Sequence, residues 1–285
     1  MAVARAPKPF VFSECRGART AAPTVILESG AFGSSSDWAH VLPELASGGR
    51  VCAYDRGGIG RSKPRAGRRD VVSVAWELFF LLDQLDEHRP VILVGHSNGG
   101  LYIETFAAIW PERVAGLVYV NAVTSDALDY PPVLDDLASE RRLSNLAVVA
   151  HGLGLAPLIA RQLVGDLHLI GPDALRKQAS LTSILSLKVA RDEDVAILPG
   201  LSTARELGGS PPTIATVVVV AQEKSSTTLS RAYEAAQKAP ALRAKTAWSL
   251  QAPGGTHVSM ISRDRAYVLA AVEWLRSLPH PDIGH

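Results

Sequence analysis

Gly95-His96-Ser97-Asn98-Gly99 sets a hydroxyl nucleophile between two glycines in the spacing G-x-S-x-G. A serine hydroxyl is a poor nucleophile at neutral pH. It needs a base to take its proton, usually a histidine held by a third group. The chain has eight histidines, and most have unremarkable settings. His40 and His88 fall on exposed helical stretches, His151 and His168 in an apolar helical region, and His280 and His285 in the tail. His257 differs, because it sits in the flexible stretch Pro253-Gly254-Gly255-Thr256-His257-Val258-Ser259-Met260, between the last expected strand and the last expected helix. From there a base could reach over the serine. An acyl transfer also needs two backbone N–H donors for the oxyanion. The amide of Asn98, directly after the serine, is one candidate. The other comes from the small-residue loop Ser29-Gly30-Ala31-Phe32-Gly33-Ser34-Ser35-Ser36, with Ala31 first and Phe32 second.

These groups work only if the backbone presents them. Val91-Ile92-Leu93-Val94 reads as a buried strand, and the stretch after Gly99 has helical character. A strand, a tight turn with serine at its apex and a helix make a nucleophile elbow. The turn strains the serine backbone, so the residues two before and two after it must be small, which Gly95 and Gly99 satisfy. The hydroxyl then stands at the positive end of a helix. Further strands are expected over 24–28, 50–54, within 112–121, over 213–221 and near 246–250. Helices are expected after Asp37, which is placed to cap one, and over 71–85 and 264–278. Strand and helix alternate, which implies a parallel sheet with helices on both faces. Sites in such sheets form at the carboxyl ends of the strands, where the loops 29–36, 55–62 and 95–99 lie. Between 125 and 212 the pattern changes to leucines at helical intervals with no convincing strand. This is the pattern of a helical cap inserted into a core domain formed by 1–124 and 213–285.

Composition excludes several classes. The chain has 285 residues, 47% of them hydrophobic, enough for one large α/β domain with an insertion. Net charge is +1, and the only local basic cluster is Arg61, Lys63, Arg65, Arg68 and Arg69, read as a solvated loop. No basic stripe with interleaved aromatics points to nucleic acid. No clustered His/Cys/Asp pattern points to a metal. Cys15 and Cys52 each fall in or near a strand and read as two buried free thiols. The N-terminus lacks a signal-peptide core, and no apolar run approaches the ~20 residues of a membrane span. A soluble cytoplasmic protein is expected by default; oligomeric state stays open, a homo-oligomer included.

The chain resembles the α/β-hydrolase superfamily through four pieces in matching order: Glu28-Ser29-Gly30-Ala31-Phe32-Gly33-Ser34-Ser35, Tyr54-Asp55-Arg56-Gly57-Gly58-Ile59-Gly60-Arg61-Ser62, Val94-Gly95-His96-Ser97-Asn98-Gly99-Gly100 and Gly255-Thr256-His257. The resemblance covers most of 20–278. It implies an eight-stranded, mostly parallel sheet, a Ser-His-acid triad and no cofactor, and gives Asp55 and Arg56 a structural role. Many relatives carry His-Gly before the oxyanion residue, where this chain has Ser29-Gly30.

The triad acid is where the chain departs from the pattern. Relatives place an aspartate after the strand that follows the cap; here the region reads Ala221-Gln222-Glu223-Lys224-Ser225. Others place it at the end of the strand after the elbow helix, which here is Asn121, with Asp126 five residues on. Asp126, Glu223 and a neutral Asn121 therefore all stay open as the partner of His257, as does an incomplete triad. The leading expectation is a serine hydrolase cleaving a carboxylic ester of a small, partly hydrophobic substrate through an acyl-enzyme. Lactone, amide, carbon–carbon and perhydrolysis chemistries are alternatives on the same scaffold. A serine at the elbow argues against dehalogenase or epoxide hydrolase chemistry, whose relatives carry aspartate there. A non-catalytic small-ligand-binding protein is the alternative from another class.

Overall fold

The computed structural model describes residues 10–222 and 227–279; Glu223, His280 and His285 lie outside the described residues. Seven strands form one sheet: β1 (Ser13–Arg16), β2 (Val25–Glu28), β3 (Val51–Tyr54), β4 (Val91–His96), β5 (Val114–Val120), β6 (Thr216–Gln222) and β7 (Ala247–Pro253). Their order is β1-β3-β2-β4-β5-β6-β7. All neighbours run parallel except β1, which lies antiparallel to β3 at the edge. The described residues thus hold seven strands where eight were expected. The chain enters the sheet through the four residues of β1 and crosses directly to β2.

Helices α1 (Leu42–Leu45), α2 (Val71–Gln84) and α3 (Gly99–Ile109) follow β2, β3 and β4. Between β5 and β6 come α4 (Pro131–Gly152), α5 (Ala156–Asp166), α6 (Gly171–Thr182) and α7 (Ile184–Glu206). α8 (Thr228–Arg243) joins β6 to β7, and α9 (Ala266–Ser277) closes the described chain. Side chains alternate between the sheet faces. Val25, Leu27, Ile92, Val94, Val217 and Val219 pack with Leu42, Leu45, Val268, Val272 and Leu275 of α1 and α9. Ile26, Leu93, Leu117, Val218 and Val220 pack with Leu78, Leu81, Ile103 and Phe106 of α2 and α3. β2, β3 and β4 are buried throughout, because helices cover both faces and leave no solvated side to alternate with. A third cluster joins Leu101 and Tyr102 of α3 to Val133, Leu137, Ile197 and Leu201 of α4 and α7, seating the inserted helices on the sheet domain.

Three local expectations are corrected. Cys15 and Cys52 are not free thiols but a disulfide, because the antiparallel β1/β3 register sets them directly opposite each other. The basic cluster is a solvated loop only in part. Arg65 is buried against Glu77 of α2 at 2.8 Å and Arg69 is half-buried, whereas Arg61, Lys63 and Arg68 are exposed, the Arg61 guanidinium lying 3.4 Å over the ring of Phe12. Asp37 caps no helix: it sits inside the 3-10 turn Ser35–Trp38 and pairs with Lys177 of α6 at 2.6 Å.

Candidate active site

Ser97 directly follows β4 with φ 56°, a left-handed backbone that costs strain for a residue with a Cβ. Three hydrogen bonds hold it there. Its N–H donates to Val120 O at 3.2 Å, and its carbonyl accepts from Gly100 N and Val123 N, both at 3.0 Å. The flanking glycines are obligatory by contact. A Cβ on Gly95 would lie 2.6 Å from Gly99 O, and one on Gly99 would lie 2.6 Å from Glu28 O. The serine begins the turn into α3 and opens on a cavity of about 450 Å³ that Asn121 and His257 also line. Its walls carry Asp136 and Glu140 from α4 and Arg231 and Tyr233 from α8. The sheet thus brings Ser97 and His257, 160 positions apart, to one cavity.

His257 is half-buried in the loop after β7. Its ring lies 4.6 Å, centre to centre, from that of His96, and His96 Nε2 donates to the His257 carbonyl at 2.9 Å. Burial holds the His257 pKa down to about 3, with neighbouring His96 adding to the effect. Burial likewise lowers His96 to about 4. Both rings are neutral at pH 7.

The partner of His257 Nδ1 is Asn121, whose Nδ2 lies 2.9 Å away. Asn121 follows β5 with φ 44°, its N–H donates to Val219 O at 2.7 Å, and its Oδ1 accepts from Ala221 N at 2.8 Å. Asp126 is corrected as the orienting acid. It lies in the 3-10 turn Ser125–Asp129, accepts from Thr124 Oγ1 at 3.1 Å and is ion-paired with Arg243 of α8. That turn carries the carboxylate away from Asn121 toward α8, where Arg243 also faces the buried Glu104 at 3.4 Å. Glu223, the other candidate, lies outside the described residues.

The two candidate oxyanion loops are tied to one buried network. Arg56 donates to Ser29 O at 2.7 Å and Gly30 O at 2.9 Å, and is paired with Glu28 at 2.6 Å and Glu193 of α7 at 2.9 Å. In a trans peptide the N–H opposes the carbonyl, so drawing Gly30 O toward Arg56 turns the Ala31 N–H away from it. A Cβ on Gly30 would lie 2.6 Å from Ser97 Cβ, which places this loop against the serine. Lys177 of α6 holds the Phe32 carbonyl at 2.9 Å, and Phe32 itself has φ 53°. At the elbow, Asn98 Nδ2 donates to Asp194 of α7 at 2.9 Å. Glu193 and Asp194, adjacent on α7, therefore brace both loops. Sequence reasoning misses them, because helical leucines mark this region and two acids on a helix read as a solvated face. Asp55 has the structural role expected of it, accepting from Ser35 N at 2.7 Å and Arg61 N at 2.8 Å. Among the described residues no group of three or more His, Cys, Asp or Glu is placed to hold a metal ion, and no helix is long and apolar enough to cross a membrane.

Comparison with known proteins places this geometry in context. The family described as "alpha/beta hydrolase fold" matches residues 23–148. Over 106 residues the chain is 38% identical to a protein of Stutzerimonas stutzeri named as a candidate carbamate hydrolase, RutD, a match covering 36% of this chain and 39% of that protein. The chain thus spans about two-fifths of the length of the curated relatives it first matches. An esterase of Thermogutta terrifontis superposes with TM-score 0.67 at 21% identity, over 93% of each chain. An enol-lactonase of Burkholderia xenovorans superposes with TM-score 0.66 at 17% identity, over 95% of this chain and 98% of that one. At these identities the two structures speak to the fold.

Proposed function

Because residues 23–148 match the α/β-hydrolase fold family, we propose that the chain is a serine hydrolase cleaving a carboxylic ester or related acyl bond of a small, partly hydrophobic substrate. The observation that carries this reading is Ser97, held at φ 56° on a cavity that also takes in His257. Ser97 Oγ attacks the acyl carbon and gives its proton to His257. The amides of Ala31 and Asn98 receive the oxyanion as the tetrahedral intermediate forms. His257 returns the proton to the departing alcohol, leaving an acyl-serine. Water then attacks that ester and gives its proton to His257, which passes it to Ser97 Oγ as the acyl–oxygen bond breaks, releasing the acid and free Ser97. We read 125–212 as a cap over this cavity. A carbamate, suggested by the RutD likeness, offers the same carbonyl carbon for attack.

A second reading is a ligand-binding protein on the same scaffold. It is favoured by the neutral Asn121 at His257, where a catalytic triad has a carboxylate. Prolonged exposure to a fluorophosphonate, read by mass spectrometry, separates the two. The hydrolase reading expects a covalent adduct on Ser97, absent in Ser97→Ala and strongly slowed in His257→Ala. Glu223→Gln tests the remaining acid in the same assay. A folded wild type that never labels overturns the hydrolase in favour of the binding protein.

A further inference from the structure

Asn121 is fixed at both ends of its amide. The Ala221 N–H belongs to the backbone of β6 and can only donate, so the atom it meets at 2.8 Å is the amide oxygen. The nitrogen then faces His257 Nδ1 at 2.9 Å. Turning the amide over would set its NH2 against the Ala221 N–H, two donors face to face with that strand group unpaired. The hydrogen-bond network therefore assigns the orientation. An amide NH2 offers hydrogens and no lone pair, so the ring nitrogen it meets is an acceptor without a proton. A neutral imidazole carries one proton, which must then sit on Nε2. Turning the ring over would set Cδ2 against the Asn121 NH2 and lose this hydrogen bond, so the contact also fixes the face of the imidazole.

We infer that Asn121 is a positioning residue that holds His257 with its proton on Nε2, the tautomer opposite to the one a general base for Ser97 requires. This rests on the reading of Ser97 and His257 as nucleophile and base. With Nδ1 occupied by Asn121, Nε2 is the nitrogen left to serve the serine. It presents a hydrogen and no lone pair, so it cannot take the Ser97 proton. The proton must first move to Nδ1, where it would point into the Asn121 NH2. Acylation of Ser97 is therefore restrained by one amide. His96 reinforces the arrangement by holding the His257 carbonyl at 2.9 Å, which limits withdrawal of the loop from Asn121.

Asn121→Asp releases this restraint. A carboxylate accepts the Ala221 N–H and also a proton on His257 Nδ1, which frees the Nε2 lone pair. As Ser97 Oγ attacks, its proton then passes to Nε2, and the imidazolium that forms faces a negative carboxylate.

The experiment measures the ¹⁵N shifts of His257 in the full chain at pH 7, assigned by their loss in His257→Gln, together with the rate of fluorophosphonate addition to Ser97. Wild type is expected to show an imine-type Nδ1 and a protonated Nε2. Asn121→Asp is expected to show the reverse and to label about 10²- to 10⁴-fold faster, the scale of correcting a wrong tautomer in a serine triad. A protonated Nδ1 in wild type overturns the inference, and that spectrum needs no variant to fold. A switched tautomer with an unchanged labelling rate overturns it as well. A bare Nδ1 in a wild type whose Ser97 labels in neither protein sustains the tautomer and sinks the hydrolase reading instead.

Discussion

Ser97 is held in the left-handed region by contacts on every side, so the residues around it tolerate little. Gly99→Ala would bring a methyl to 2.6 Å from Glu28 O, at the end of a fully buried strand that cannot retreat. We expect a loss of about 2 kcal/mol of stability, from urea unfolding, and loss of Ser97 labelling. The histidines respond to pH in a definite direction. His96 titrates near 4 in the folded chain because burial disfavours its charge, and near 6.5 when unfolded. Unfolding below pH 6.5 therefore takes up a proton, and this contribution to stability is lost as pH falls from about 6.5 to about 4. His257, lowered to about 3, acts in the same sense over a wider window. His96→Gln should flatten the decline of the urea midpoint between pH 6.5 and 4.5. A decline as steep as that of wild type would show that His96 is not held neutral.

At the scale of elements, α7 is the brace of the site. Arg56 sits buried between Glu28 of β2 and Glu193 of α7 and holds the Ser29 and Gly30 carbonyls. Arg56→Met would leave two buried carboxylates without their cation, a defect that costs about 3–5 kcal/mol. It should also slow Ser97 labelling through the released 29–32 loop. Asp194→Ala removes the acceptor for both Asn98 and Ser144 of α4. It should lower stability by about 1–3 kcal/mol, while Asp194→Asn, which keeps a carbonyl oxygen, should cost less. Equal losses in the two variants would argue that packing matters there and hydrogen bonding does not. The strands that carry the site are legible because each is a short apolar run flanked by turn residues. α8 is not: Ala235, Ala236, Lys238, Ala239 and Pro240 give no strong apolar stripe.

Over the whole molecule, the Cys15–Cys52 disulfide closes a separation of 37 residues and ties the antiparallel edge to the parallel sheet. A loop of that size is worth about 4 kcal/mol by the chain-entropy estimate. Cys15→Ser with Cys52→Ser, or a strong reductant, should lower the urea midpoint accordingly. An unchanged midpoint would mean that the crosslink does not constrain the unfolded chain. Such a bond persists in oxidising surroundings and is uncommon in a reducing cytoplasm, which sets it against the cytoplasmic location expected from composition.

What the amino-acid sequence determines by itself is what neighbours in the chain decide. The elbow around Ser97 is visible because its small residues lie two positions either side, and the parallel sheet because strand and helix alternate along the chain. The helical character of 125–212 is visible for the same reason. Tertiary structure alone decides matters that turn on which strand lies beside which. Cys15 meets Cys52 because β1 pairs with β3. Arg65 is buried because α2 brings Glu77 to it. Asn121, rather than Asp126, meets His257 because the end of β5 lies beside β6, whose Ala221 N–H fixes the amide. Asp126, only five positions further on, is turned toward Arg243 by a short 3-10 turn. Spacing along a chain does not contain that information, since a hydrogen bond acts over about 3 Å of space whatever the separation in sequence.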